Sequence, residues 1–190
     1  MDKFADILVP IANDNPSIRR KESKCVKCGK CKDVCAKKIG VAGYWKYDSE
    51  DIVCINCGQC ANVCPVDSIT ERDDTDILMQ AINDKDKKVI FITSPAVRVS
   101  LGEMFGLPAG EFVAGKMVAC LKKLGADYVF DVTFGADLTI MEEASEIIDR
   151  ITNNKTLPQF TSCCPAWVKF VEAFYPQYIP NLSSCKSPIS

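Results

Sequence analysis

CVKCGKCKDVC at 25–35 returns as CINCGQCANVC at 54–64, an offset of 29 residues in a chain of 190 that holds 12 cysteines and no histidine. Both copies read CxxCGxCxxVC, and repetition of that fidelity marks a duplicated structural unit. Cysteines separated by two residues put three thiolates on one tight loop, and each loop is followed by one more cysteine, Cys35 or Cys64. Gly29 and Gly58 suit a sharp turn that brings backbone N–H groups up to sulfur, where a Cβ would obstruct. Such a chain is predicted to hold metal.

Three thiolates on a loop supply three corners of an iron–sulfur cubane, and in two-cluster ferredoxins the fourth comes from the other repeat. The expected ligands are therefore Cys25, Cys28, Cys31 and Cys64 for one 4Fe-4S cluster, and Cys54, Cys57, Cys60 and Cys35 for a second, with Val34 and Val63 packed between them. The alternatives are two four-cysteine zinc sites or a disulfide scaffold. Zinc sites are usually built from two separate CxxC pairs, so three evenly spaced cysteines with a distant fourth favour the cubane. Pro65 follows the last cysteine of the second copy, whereas Ala36 takes that place in the first.

Hydrophobic residues make up 47% of the chain and the net charge is −2, enough to bury a core in one or two domains and with nothing that points to nucleic acid. The apolar runs ILVP and VIFIT are too short to cross a bilayer. Residues 7–12 are interrupted by Pro10 and preceded by aspartates rather than a basic stretch, so no signal peptide is expected. The cytosol, where thiols stay reduced, is the expected location.

Organisation changes near Thr70. Residues 1–20 read as a leader closing on an Asn15-Pro16-Ser17 turn. Residues 21–70 are the cluster module, and 71–190 a second domain. Lys21, Lys24, Lys27, Lys30, Lys32, Lys37 and Lys38 crowd the first cysteine loop. They read most simply as a solvated surface balancing anionic clusters, and alternatively as a docking face for an acidic electron donor.

Beyond Glu71 the pattern alternates between helix and strand. A helix over 77–82, capped by Asp73 or Asp74, precedes a buried strand at 88–93; helices over 96–105 and 113–124, the latter closed by Gly125, lead to a strand at 127–132. A long helix over 138–151, a short strand at 159–161 and a helix over 166–174 complete a β-α-α-β-α-β-α order. The expected fold is an α+β ferredoxin-like module followed by an α/β lobe with a parallel sheet. Function in such sheets sits at the carboxyl ends of the strands. Three segments fall there: Thr93-Ser94-Pro95-Ala96, Thr133-Phe134-Gly135 and Thr161-Ser162-Cys163-Cys164-Pro165.

Adjacent cysteines cannot easily ligate the same corner of one metal centre. Cys164, at a helix N-terminus, would have its thiolate favoured by the helix dipole, leaving Cys163 free to face a cavity. Two buried structural cysteines or a vicinal disulfide are the plainer reading. On the long helix, Ile140, Ala144, Ile147 and Ile151 form an apolar stripe with Glu143 at its edge. Glu146 neighbours Glu143 and can pair with Arg150. A partly buried carboxylate handing protons to a more exposed one is one reading, and a solvated acidic face the other. Cys120 reads as a small core residue and Cys185 as buried packing.

PQFTSCCPAWVKF (158–170), FDVTFGADLTIMEEASE (130–146), TSPAVRVSLGEMFG (93–106), LSSCKSP (182–188) and the DNPSI leader together resemble the iron-only (FeFe) hydrogenases over nearly the whole chain. TSCCPxW resembles the first of that family's three signature loops. The resemblance implies that Cys164 ligates the cubane of the catalytic H-cluster and that Cys163 delivers protons to its diiron half. It also implies that Ser94, Pro95 and Ala96 cup the diiron unit, and that protons pass along Cys163, Glu143, Ser183 and Glu146. The family draws three further H-cluster cysteines from two later loops, so a chain closing on KSPIS is expected to be a fragment: a truncated gene product, a cut-down portion of a longer protein, or one half of a split enzyme whose complementary chain carries the rest. Three functions follow: the N-terminal part of a hydrogenase served by an external carrier such as ferredoxin, a stand-alone electron-transfer module, or a hydrogenase-like sensor or iron–sulfur assembly relative.

Overall fold

The computed structural model describes residues 7–45 and 52–189. The first six residues of the leader, 46–51 within the cluster module, and the final serine lie outside the described residues. The chain divides into two compact units, Met1–Asp73 with Cys164–Leu182, and Asp74–Cys163 with Ser183–Ser190.

In the first unit the Asn15-Pro16-Ser17 turn forms as the sequence predicts: the buried Asn15 side chain accepts from the N–H groups of Ser17 (2.9 Å) and Ile18 (3.1 Å). This turn launches β1 (Ile18–Arg20), which pairs antiparallel with β2 (Ile69–Glu71), placing Arg20 opposite Ile69. Between them lie two short helices, α1 (Lys30–Asp33), running into a π-helical turn at Val34–Ile39, and α2 (Gln59–Asn62). The core consists of Val9, Ile18, Cys31, Ala42, Cys60 and Ile69, with Val34 packed against it. Two of those six are cysteines read as ligands.

The rest of this unit comes from far along the chain. Helix α7 (Pro165–Phe174) starts on a proline, whose missing N–H costs nothing in the first helical turn, and buries Val171 almost completely. Its Phe170 and Phe174 meet Trp45 edge-on at 5.5 and 5.7 Å.

In the second unit α3 (Thr75–Asn83) begins after Asp74, and β3 (Ile90–Thr93) pairs parallel with β4 (Tyr128–Asp131), Ile90 opposite Tyr128 and Thr93 opposite Asp131. The crossover runs through α4 (Val97–Ser100), a 3-10 turn at Leu101–Phe105, and α5 (Ala114–Leu124), which ends on Gly125 in the left-handed region.

Four sequence expectations are corrected here. The 88–93 strand is not buried: alternation puts Ile90, Ile92, Tyr128 and Phe130 on one sheet face, and that face is open, with Ile90 55% exposed. The third strand does not form, and Phe160 makes only an isolated bridge. The long helix, α6 (Val132–Thr152), starts six residues early, because Asp131 accepts from the Thr133 N–H at 3.0 Å and caps it. Thr133-Phe134-Gly135 is thus the first helical turn and not a loop. Gly135 is required there, since a Cβ would come within 2.3 Å of the Pro188 carbonyl oxygen. Finally, the apolar stripe of α6 is split: Ile140 (66% exposed), Ala144 and Ile151 (60%) face outward, while Ile147 is half-buried on the inner side with Glu143, Glu146 and the buried Arg150.

Candidate functional site

The two cysteine loops share one backbone. Lys27 and Asn56, equivalent in the repeat, have φ of 55° and 58°, and Gly29 and Gly58 follow at 78° and 71°. Exposure repeats with the same period. Cys28 and Cys57 are exposed, Cys31 and Cys60 buried, and Cys25, Cys35, Cys54 and Cys64 half-buried.

The fourth cysteines cross between repeats. Cys25, Cys28, Cys31 and Cys64 line one cavity, closed by Gly29, Pro65 and Ile69. Burial raises the Cys35 thiol, and so do Cys57 and Cys54 of the other repeat, which lie close enough to act on it electrostatically. Burial, with help from Cys54 and Cys57, pushes Cys60 up to about 11. The structure thus brings Cys35 beside the second loop and Cys64 beside the first.

Backbone N–H groups point at sulfur: Ser68 (3.2 Å) and Ile69 (3.5 Å) donate to Cys64, and Asn56 donates to Cys54 at 3.4 Å. Around Cys64, burial acts upward, but the N–H groups of Ile69, Val66 and Ser68 together outweigh it and lower its pKa. Donors aimed at sulfur stabilise thiolate, the form that binds metal. All 12 cysteines are free thiols. Among the described residues no three Cys, Asp or Glu side chains converge on a point for one ion. The first set rings a cavity, the arrangement suited to a cubane in which each iron takes one thiolate. This donor chemistry fits two 4Fe-4S clusters.

In the second unit, Glu146 is held from three sides. Arg150 donates to Oε1 through Nη2 (2.7 Å) and Nε (3.1 Å); the Ser183 hydroxyl (2.8 Å) and the Ser184 N–H (3.1 Å) donate to Oε2. Burial pushes this carboxyl up, but Ser183, Arg150 and Ser184 together carry it below the usual glutamate range. Its side chain is only 17% exposed, so Glu146 is not the open outer carboxylate expected from sequence. Glu143 is half-buried, its Oε1 fully enclosed with no hydrogen-bond partner. Beside it, Gln159 donates through Nε2 to the Glu143 carbonyl at 3.3 Å, and its own Oε1 is also buried and unpartnered.

Ser94, half-buried, and Pro95 and Ala96, both exposed, form the turn that closes β3. Arg98 in the following helix donates to Asp131 at 2.5 Å, tying that turn to the end of β4. Thr133, through its N–H and hydroxyl, and then Arg98 lower the Asp131 carboxyl. Sequence reading missed Arg98 and Gln159. Asp131 followed two residues later by Thr133 was the available capping signal. Cys163 is exposed in the second unit, and Cys164, also exposed, is the N-cap of α7. Cys185 is half-buried, with its carbonyl accepting from Ser162 at 2.6 Å. Cys120 is exposed on α5 rather than a core residue, because the helix turns it toward an open apolar cavity.

Residues 87–190 match the family model described as the iron-only hydrogenase large subunit, C-terminal domain. The chain belongs to the iron-only hydrogenase family. A 4Fe-4S binding domain model matches residues 53–70, the second cysteine loop. Iron hydrogenase 1 of Clostridium pasteurianum is 45% identical over 182 residues, covering 87% of this chain and 31% of that protein. The periplasmic [Fe] hydrogenase large subunit of Nitratidesulfovibrio vulgaris is 49% identical over 110 residues, 57% of this chain and 26% of that one. A solved variant of the [FeFe]-hydrogenase HydA1 from Chlamydomonas reinhardtii superposes with a TM-score of 0.53 at 42% identity, over 62% of this chain and 31% of that one. This hydrogenase-family chain therefore spans about a third, or less, of the relatives it matches. No helix among the described residues is long and apolar enough to cross a membrane.

Proposed function

We propose that this chain is the electron-carrying module and first lobe of an enzyme interconverting two protons and two electrons with dihydrogen. The observation that carries the reading is the crossing of Cys64 to the first loop and Cys35 to the second, in a chain whose remainder matches a hydrogenase domain. When bound, two 4Fe-4S clusters supply one-electron steps, and an H-cluster supplies the chemistry of the H–H bond.

The protein's own part is to hold, insulate and deliver. The first loop's cysteines with Cys64, and the second loop's with Cys35, hold the two clusters. Cys164 offers one thiolate to the H-cluster cubane, and the remaining ligands come from outside the described residues, on further sequence or a complementary chain. Ser94, Pro95 and Ala96 cup the diiron unit, their turn fixed by the Arg98–Asp131 pair. Protons move along Cys163, Glu143, Ser183 and Glu146. The direct Ser183–Glu146 hydrogen bond supports the outer part of that order. Because the Arg150 pair and the serines keep Glu146 ionised at neutral pH, it receives protons from Ser183 and releases them rather than storing them. An external carrier such as a ferredoxin supplies electrons. The cytoplasm is the proposed setting.

The test is to co-produce this chain with the remaining two thirds of a family member's sequence under anaerobic maturation and measure dihydrogen. Turnover that vanishes in Cys164→Ala and collapses in Cys163→Ala with metal retained is expected. A matured complex with no turnover, or full turnover in Cys164→Ala, contradicts the reading.

A further inference from the structure

Ile18 and Arg20 stand two residues apart on β1, so both side chains leave the same face of the strand, and Ile18 is 3% exposed in the module's core. The next position on that face, opposite the equally buried Ile69, calls for a branched apolar side chain. Arginine stands there instead. Its side chain is only 12% exposed and joins Cys25, Cys28, Cys31 and Cys64 in lining the first cavity. Nη2 donates to the Val9 carbonyl at 2.6 Å and approaches Cys31 Sγ at 4.0 Å, while Nε is enclosed without a hydrogen-bond partner. Its ion pair with Glu22 spans 3.8 Å to a carboxylate that is 71% exposed, too open to neutralise a buried guanidinium. A buried cation standing where an aliphatic side chain would serve the core needs an anion, and the cysteine-lined cavity beside it is where one fits. The position 29 residues later is Ser49, and residues 49–71 contain no lysine or arginine, so the repeat itself does not call for the charge.

We propose that Arg20 sets the reduction potential of the cluster held by Cys25, Cys28, Cys31 and Cys64, its fixed buried charge making that cluster easier to reduce. The inference rests on the cluster assignment above. A cubane ligated by four thiolates is net anionic and gains a further negative charge on reduction, so a cation held beside it stabilises the reduced form more than the oxidised. In the step itself the cluster takes one electron from a one-electron donor; no bond forms or breaks, and the guanidinium, which stays protonated, moves no proton. Asp67 acts on Cys64 in the opposite sense, and Lys24, Lys27 and Lys30 carry charge of the same sign as Arg20, but all four are exposed and screened by water. Arg20 is enclosed and keeps its effect.

The test is an anaerobic redox titration followed by electron paramagnetic resonance, with dithionite as reductant, on the full chain carrying its reconstituted clusters. With iron content matched, Arg20→Gln should shift the first cluster's reduction equilibrium about tenfold toward the oxidised form, a fall in midpoint of about 59 mV for one electron. Arg20→Lys, which keeps the charge, should recover most of that shift. Arg19→Gln, on the other face of the same strand, should move neither midpoint. Glu22→Gln removes the opposing carboxylate and should move the first midpoint upward, a direction that damage to the site does not mimic. Built on Cys57→Ala, which removes the second cluster, the Arg20→Gln shift should persist; built on Cys28→Ala, which removes the first, it should vanish. Equal midpoints in wild type and Arg20→Gln overturn the tuning role alone, as does a fall in Arg20→Lys as large as in Arg20→Gln, an equal fall in Arg19→Gln, or a shift that survives Cys28→Ala. If Arg20→Gln takes up no iron, Glu22→Gln decides, and a midpoint that does not rise at low ionic strength overturns the role. A wild-type chain that takes up no iron overturns the cluster assignment and the tuning role together.

Discussion

The cysteine module and the second unit were built from the same chain under opposite constraints. In the module the residues that carry chemistry are also the core: Cys31 and Cys60 are 8% and 9% exposed and pack with Val9, Ile18, Ala42 and Ile69. In the second unit Glu143, Glu146 and the buried Arg150 lie inward on α6 beside the half-buried Ile147, while Ile140, Met141, Ile148 and Ile151 lie outward at 60% or more. The module therefore closes on metal, whereas the second unit leaves apolar side chains of α6 open. An exposed apolar face of this kind is where association is expected.

The comparison can be broken at several points. The largest effect belongs to the module. Cys60→Ala removes a ligand and a core residue at once, so iron should fall from about eight to about four per chain and the module's circular dichroism should weaken. Unchanged iron would remove Cys60 from the ligands. Next comes Glu146→Ala, which removes the carboxylate that neutralises the buried Arg150 and should cost about 3–5 kcal/mol in urea unfolding; a loss below about 1 kcal/mol would mean the pair is solvated.

Gly135→Ala drives a methyl into the Pro188 carbonyl and should cost about 1–3 kcal/mol, with faster hydrogen exchange across 183–189. Acid titration sharpens the same picture. Glu146 titrates below its unfolded value, so its stabilisation is complete at neutral pH and is lost as pH falls through the ordinary glutamate range and below. Glu146→Gln should flatten that part of the stability curve. The smallest effect is expected for Ile140→Lys with Ile148→Lys, within about 0.5 kcal/mol of wild type, accompanied by less self-association in sedimentation. A large destabilisation would place those side chains in a core.

Legibility in the sequence followed the same divide. Ligand spacing is local chemistry, so the two loops, their glycines and the crossing of Cys35 and Cys64 could be written down before any fold. The Asn15 turn, α5 with its Gly125 stop, and the two parallel strands were likewise visible, because caps and alternation are short-range. Burial on α6 was legible at Glu143, which is half-buried as expected, but not elsewhere. Periodicity locates an apolar stripe but not the side on which the protein lies, and here the inward side carries Glu143, Glu146 and Arg150. The sequence pattern puts Gly135 in the segment at the carboxyl end of a strand, whereas it lies in the first turn of α6, where the close approach of Pro188, more than 50 residues away, demands it. The β1–β2 pairing and the Trp45 contacts with α7 also depend on distant partners, which no window of sequence contains.

The crossed cysteines can be tested most directly by counting iron in the double variant Cys25→Ser with Cys64→Ser, reconstituted anaerobically beside each single variant. If both residues serve one cluster, the double variant keeps about four iron atoms, the same as either single. If each loop instead keeps its own fourth cysteine, the double variant loses both clusters, and a value near zero would contradict the account.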